Sequence, residues 1–206
     1  MDDDKSAKDD HGYHLFPERN PRNPRKEPFL SRLYGLKTRC NARVKIALET
    51  SPHVRLLLDA MSRAGCTAYR DRHFACEECA GEAGGGFDTA TSQIVMCQNK
   101  INDQKIMNQM LTHELIHAYD HCRAQVDFLG NIQHLACTET CVRDRAVRSI
   151  MASSKSSQET AEKAVDEVFD SCFNDREPFD RIPHNTATAN IAYKNFRNRG
   201  RYYENI

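Results

Sequence analysis

The chain carries no net charge: 29 Lys and Arg residues balance 29 Asp and Glu across 206 residues. That removes any general attraction to nucleic acid or to an anionic bilayer. Long apolar runs are also missing. Leu56-Leu57-Leu58 is far short of the roughly 20 residues that span a membrane, so a membrane would be met only at its surface. The N-terminus lacks the apolar segment of a secretory signal, and Asp2-Asp3-Asp4 argue against an amphipathic mitochondrial presequence. There is no internal repeat.

Cysteine, by contrast, is plentiful. Nine residues, at 40, 66, 76, 79, 97, 122, 137, 141 and 172, are many for a reduced compartment and suit staples formed in an oxidising one. The count is odd, so one thiol stays free or pairs outside the chain. Cys76-x2-Cys79 with Cys66 and Cys97 allows a ribbon-type structural zinc site or two disulfides, and disulfides are preferred. Residues 1–28, with Pro17, Pro21, Pro24 and Pro28 interleaved with Arg, read as a disordered tail. Residues 29–206 are long enough for one domain with a real core.

Helical signals open that domain near 30–49 and 52–64, the second with Ser51 as cap, Pro52 at its first position and Gly65 past its end. Residues 67–88 contain Gly84-Gly-Gly86 and suit a β-hairpin. Ser92–Cys97 reads as a strand, placed where zinc proteases often present a sheet edge to an extended substrate. A helix is expected near 142–152. Ser156 with Glu159 suggests a capping box for another helix running to about Phe173. The stretch beyond Pro178 and Pro183 reads as a polar, irregular tail.

The chemistry lies in His113-Glu-Leu-Ile-His117. Residues four apart share one helix face, so His113 and His117 can address one Zn²⁺, with Glu114 beside them to take a proton from an activated water. Ile106, Met107, Met110, Leu111, Leu115, Ile116 and Ala118 mark this helix as pressed into a core. Histidines there need partners, because a buried polar group without one is costly. A catalytic zinc keeps three protein ligands. Arg123 stands where a metzincin has its third histidine and Asp120 where it has glycine, so that extended motif fails. His121, His134 and Glu139 remain. His121 would overreach the metal from the same straight helix, and His134 is a lone histidine. Glu139, 22 residues after His117, suits a second helix folded back on the first and is preferred. Asp120 reads equally as an acceptor for a ligand histidine and as a surface carboxylate.

Ser51-Pro-x-Val-x-x-Leu-Leu58, Gly85-Gly-Phe-Asp88, Ile94-Val-Met-Cys-Gln98, Thr112-His-Glu-Leu-Ile-His-Ala-Tyr-Asp120 and Cys172-Phe-Asn-Asp175 together resemble the mitochondrial inner membrane metalloprotease family that acts in ATP synthase biogenesis. The resemblance covers about residues 29–206. It implies an α+β, zincin-like domain, mainly helical with a small sheet, holding one zinc through His113, His117 and Glu139 with Glu114 as base. It implies an intermembrane-space protein, peripheral on the inner membrane, folded by oxidation of its cysteines. It implies, for fungal members, processing of the ATP synthase subunit a precursor, and for the family help in that subunit's assembly, a chaperone role separable from proteolysis. A further implied link, to Ku and DNA-dependent protein kinase, finds no basic patch here and no direct nucleic-acid binding is expected. One departure stands out. Ala136-Cys-Thr-Glu139 runs straight into Thr140-Cys-Val-Arg-Asp-Arg145, where the family has one or two further helices and another cysteine.

Overall fold

In a computed structural model the described residues are 35–202 except 129, 140–142 and 155, with backbone alone at 143–145, 152, 153, 173, 201 and 202. The tail read over 1–28 lies outside them. The architecture is mostly helical with one three-stranded sheet, an α+β fold. The elements are α1 (Leu36–Thr50), α2 (Pro52–Arg63), the single turn α3 (Arg70–His73), β1 (Phe74–Glu77), β2 (Gly85–Asp88), β3 (Gln93–Cys97), α4 (Gln104–Arg123), α5 (Ile132–Glu139), α6 (Arg143–Ser154), α7 (Gln158–Phe173) and α8 (Thr186–Asn198), followed by a 3₁₀ turn, Arg199–Tyr202. No described helix is long and apolar enough to cross a membrane. The residues form two compact units, one ending at Leu58 and resuming over Thr67–Ala118, the other comprising Asp59–Cys66 and the chain from Tyr119 onward.

The first unit holds the sheet. Residues 67–88 do not form the expected hairpin, because β3 lies between the two strands in the order β1-β3-β2. β3 runs parallel to β1 (Cys76 opposite Met96) and antiparallel to β2 (Gly85 opposite Met96, Phe87 opposite Ile94). Its Ile94-Val-Met-Cys97 is at most 2% exposed, and a strand apolar on both faces belongs in the middle of a sheet. β3 is therefore not the edge expected for substrate; β1 and β2 are the edges. Cys40, Val44 and Ala47 form the buried stripe of α1, and Cys40 is bonded to Cys76 on β1. A second disulfide, Cys79–Cys97, fastens the loop after β1 to the end of β3.

Helix ends follow the side chains available to cap them. α2 closes as its sequence anticipates: Gly65 adopts φ +93°, its N–H donates to Ser62 O and the Cys66 N–H donates to Met61 O. Asp103 caps α4 by accepting from the Ile106 N–H at 2.8 Å. At α7 the cap is Ser157, accepting from the Thr160 N–H, rather than the expected Ser156. The helix starts one residue later than the sequence pattern suggests.

In the second unit α5, α6 and α7 pack on one another around Leu135, Ala136, Ala146, Val147, Ile150, Ala161, Ala164 and Val165. Cys137–Cys172 ties α5 to α7, and Cys66–Cys122 ties the chain after α2 to the last turn of α4. The stretch expected to be irregular contains α8, entered through a capping box between Asn185 and Thr188. Arg63 fastens it, donating to Phe196 O at 3.1 Å while its guanidinium lies 4.4 Å over the Phe196 ring. Arg199 pairs with Glu177 and Asp180. Its hydrogen bond with Asp180 raises its pKa further above an already high value.

Cys66, Cys76, Cys79 and Cys97 thus sit in three separate disulfides, and the ribbon-type zinc site is not formed. Four disulfides use eight cysteines, and the ninth, Cys141, lies outside the described residues. Alkylation in denaturant without reductant should label at most one cysteine per chain, at Cys141. Peptide mass mapping that found label at any of the other eight would break this disulfide set.

Candidate metal centre

α4 carries the site because one side of it is driven inward. Met107, Leu111 and Leu115 are fully buried and Ala118 nearly so, at the spacing of a helical stripe. Glu114 and His117 are drawn in with them, at 5% and 8% exposure, while His113 is half-buried. The two imidazoles meet almost perpendicularly, with ring centroids 4.6 Å apart, and their Nε2 atoms stand 3.1 Å from each other. Two nitrogens at the usual zinc distance and tetrahedral angle would be separated by about 3.3 Å. The pair therefore has the spacing that a shared cation requires. Glu139 is the last residue of α5 and only 6% exposed. His113, His117 and Glu139 each offer one ligand atom, and these atoms all lie within 4.8 Å of one another. Two neutral nitrogens and a carboxylate oxygen make a donor set suited to zinc, so the residues present fit a metal.

The other expected ligands go elsewhere. His134 accepts from the Asp127 N–H through Nδ1 at 3.0 Å and so braces the turn before α5. His121 does not enter the metal group; its ring is tilted against Phe128 at 6.2 Å. Asp120 commits its oxygens to the Arg123 Nε–H at 2.9 Å and the Thr138 hydroxyl at 2.8 Å, so it is neither an acceptor for a ligand histidine nor a merely solvated carboxylate. Arg123 also pairs with Asp175. Burial works against its charge, but the two aspartates more than compensate and hold its pKa above the usual arginine range. Burial likewise pushes the Tyr119 phenol up, with Arg123 opposing it.

Two contacts escape a reading of the sequence. The Ser149 hydroxyl on α6 donates to Glu139 Oε1 at 2.7 Å, and nothing about a lone serine in a helix announces it. Gly85, expected in a turn, lies on β2 directly against the Glu114 side chain. A Cβ there would fall 2.9 Å from Val95 O, 3.3 Å from Glu114 Cγ and 3.4 Å from Glu114 Oε1. The run Gly84-Gly-Gly86 was the visible signal, and its meaning is close approach rather than a bend.

The profile of the Peptidase M76 family matches residues 38–140 and 139–180, and the chain belongs to that family. It is similar to the Xenopus laevis mitochondrial inner membrane protease ATP23 homolog, 53% identical over 235 positions that cover all of both chains. The Homo sapiens protein of the same name is 50% identical over 93% of this chain and 89% of its own length. A mitochondrial inner membrane protease atp23 of Aspergillus niger is 33% identical over 70% and 73%. No solved structure matches. The 235 positions aligned with the Xenopus protein exceed this chain's 206 residues by 29, so at least that many have no counterpart here. The two stretches of the family match meet at residues 139–140, where the resemblance put the absent segment.

Gly85→Ala should destabilise the fold by about 1–3 kcal/mol, because the backbone carbonyl of Val95 cannot swing aside as a side chain would. Thermal unfolding checks this; an unchanged melting temperature would mean that the sheet yields without strain.

Proposed function

We propose that the chain is a zinc-dependent metalloendopeptidase, of zincin-like fold, acting in the mitochondrial intermembrane space from the surface of the inner membrane. Its proposed substrate is a membrane-sector subunit of ATP synthase, the subunit a precursor, which it processes and helps to assemble. The observation that carries the reading is the group His113, His117 and Glu139 with buried Glu114 between the two histidines in sequence. Family membership supports peptidase chemistry, and the relatives' names support the inner membrane.

His113, His117 and Glu139 would hold the ion, the two histidines standing with their Nε2 atoms 3.1 Å apart. Bound zinc supplies Lewis-acid polarisation of the scissile carbonyl and acidifies water. Glu114 performs the proton transfers. Its carboxylate accepts a proton from the attacking water as the new carbon–oxygen bond forms. It then delivers that proton to the amine nitrogen as the carbon–nitrogen bond breaks. At 5% exposure the carboxylate is sheltered from bulk water.

A second reading has its own observation. The family match breaks at residues 139–140, immediately after the proposed third ligand. A chain altered there could keep the assembly role with little proteolysis.

Glu114→Gln separates the two. It should retain stoichiometric zinc and lose about 10²–10⁴-fold in peptide cleavage, measured with a mass-spectrometric readout on a subunit a precursor peptide. Zinc-loaded parent protein that cleaves no peptide would sink the protease reading. Restoration of ATP synthase assembly by Glu114→Gln would then favour the second.

A further inference from the structure

Glu139 ends α5, a helix of eight residues, and the family match divides at this point. A metal ligand that wanders by an ångström loses much of its affinity. A buried carboxylate also needs donors, since each unmet oxygen costs free energy. Ser149 answers both needs through its 2.7 Å hydrogen bond to Oε1.

Ser149 is itself well placed to anchor another group. It comes three residues after Ala146 and just before Ile150, and both of these are 0% exposed in the core shared with Leu135 and Ala136 of α5. Leu135 and Glu139 are four apart, so the stripe of α5 that packs on this core ends at the carboxylate. The packing that locks α6 to α5 therefore also sets where the hydroxyl stands. We propose that Ser149 is a positioning residue for metal binding. By holding one oxygen of Glu139 it fixes the plane of the carboxylate, and so the direction in which the ligand meets a divalent cation shared with His113 and His117. The proposal rests on the reading of Glu139 as third ligand.

Zinc titration of the full, oxidised chain against a chromophoric chelator tests it, with Zn²⁺ alone as probe. Ser149→Ala should weaken zinc affinity about 10–100-fold, the usual cost of losing a group that orients a ligand. Ser149→Thr, which keeps the hydroxyl, should restore most of it, and the metal-free melting temperature of Ser149→Ala should match the parent. Parental affinity in Ser149→Ala overturns the proposal. So does a loss that Thr does not rescue and that the metal-free melting temperature tracks, because that is merely structural. Glu139→Gln tells the two failures apart. If zinc affinity survives it, the ligand reading falls and the positioning role with it. If affinity falls in Glu139→Gln but not in Ser149→Ala, the positioning role alone is refuted.

Discussion

The approach of two imidazole nitrogens to 3.1 Å is the constraint on which the rest of the site depends. Neither ring could hold that position on a loop, where thermal motion would separate them. α4 holds them because His113 and His117 are one turn apart and because Met107, Leu111 and Leu115 keep the helix from rotating. The apolar stripe also decides which polar side chains are dragged inward. Glu114 and His117 incur a desolvation cost that a bound metal ion would offset. A fold that pressed the same helix inward through a different stripe would carry the motif in sequence and lose its chemistry.

The cross-links serve the same end at longer range. Cys40–Cys76 and Cys79–Cys97 close loops of 36 and 18 residues around the small sheet, and Cys137–Cys172 closes one of 35 around α5. In the chain-entropy account each removes about 3–4 kcal/mol of freedom from the unfolded state. The strands they brace are four or five residues long, too short to form a stable sheet alone. Cys137 lies two residues before Glu139 on the same short helix, so the staple that stabilises α5 also limits how far its last residue can stray. A cysteine-rich sequence thus reads as a means of holding small elements rigid, and it requires an oxidising compartment in which to do so.

What could be read in advance was what is local. The helix carrying His113 and His117, the start and stop of α2 and the apolar face of α7 are written within one or two turns of sequence, and these elements appear as expected. Strand order is not local. Whether Ile94-Val-Met-Cys97 lies at the edge or the centre depends on which segments return to it, and only its all-apolar character hinted at the centre. α8 was hidden by composition: Thr, Asn, Lys and Arg dominate it, and only Ala189 and Phe196 are buried. Its Asn185–Thr188 capping box was the legible sign. Asp120 misled for the opposite reason. Its neighbours in sequence are the histidines of the candidate metal group, yet its partners Thr138 and Asp175-bound Arg123 are held from far along the chain.

The break at residues 139–140 bears on how much of a fold a ligand needs around it. A helix that loses its continuation loses hydrogen bonds and helical propensity at its end, and an eight-residue helix is marginal by itself. α5 keeps three supports that do not depend on the residues immediately after Glu139. Leu135 and Ala136 remain in the three-helix core, Cys137 remains bonded to α7, and the Thr138 hydroxyl remains on Asp120 in the last turns of α4. The consecutive residues 135–138 are thus anchored to several different neighbours, which leaves Glu139 little freedom beyond its own side-chain torsions. Ser149 acts on those torsions. These contacts reach α5 and its carboxylate from elements on either side of the junction rather than from the segment across it, so a shortened connection leaves them in place.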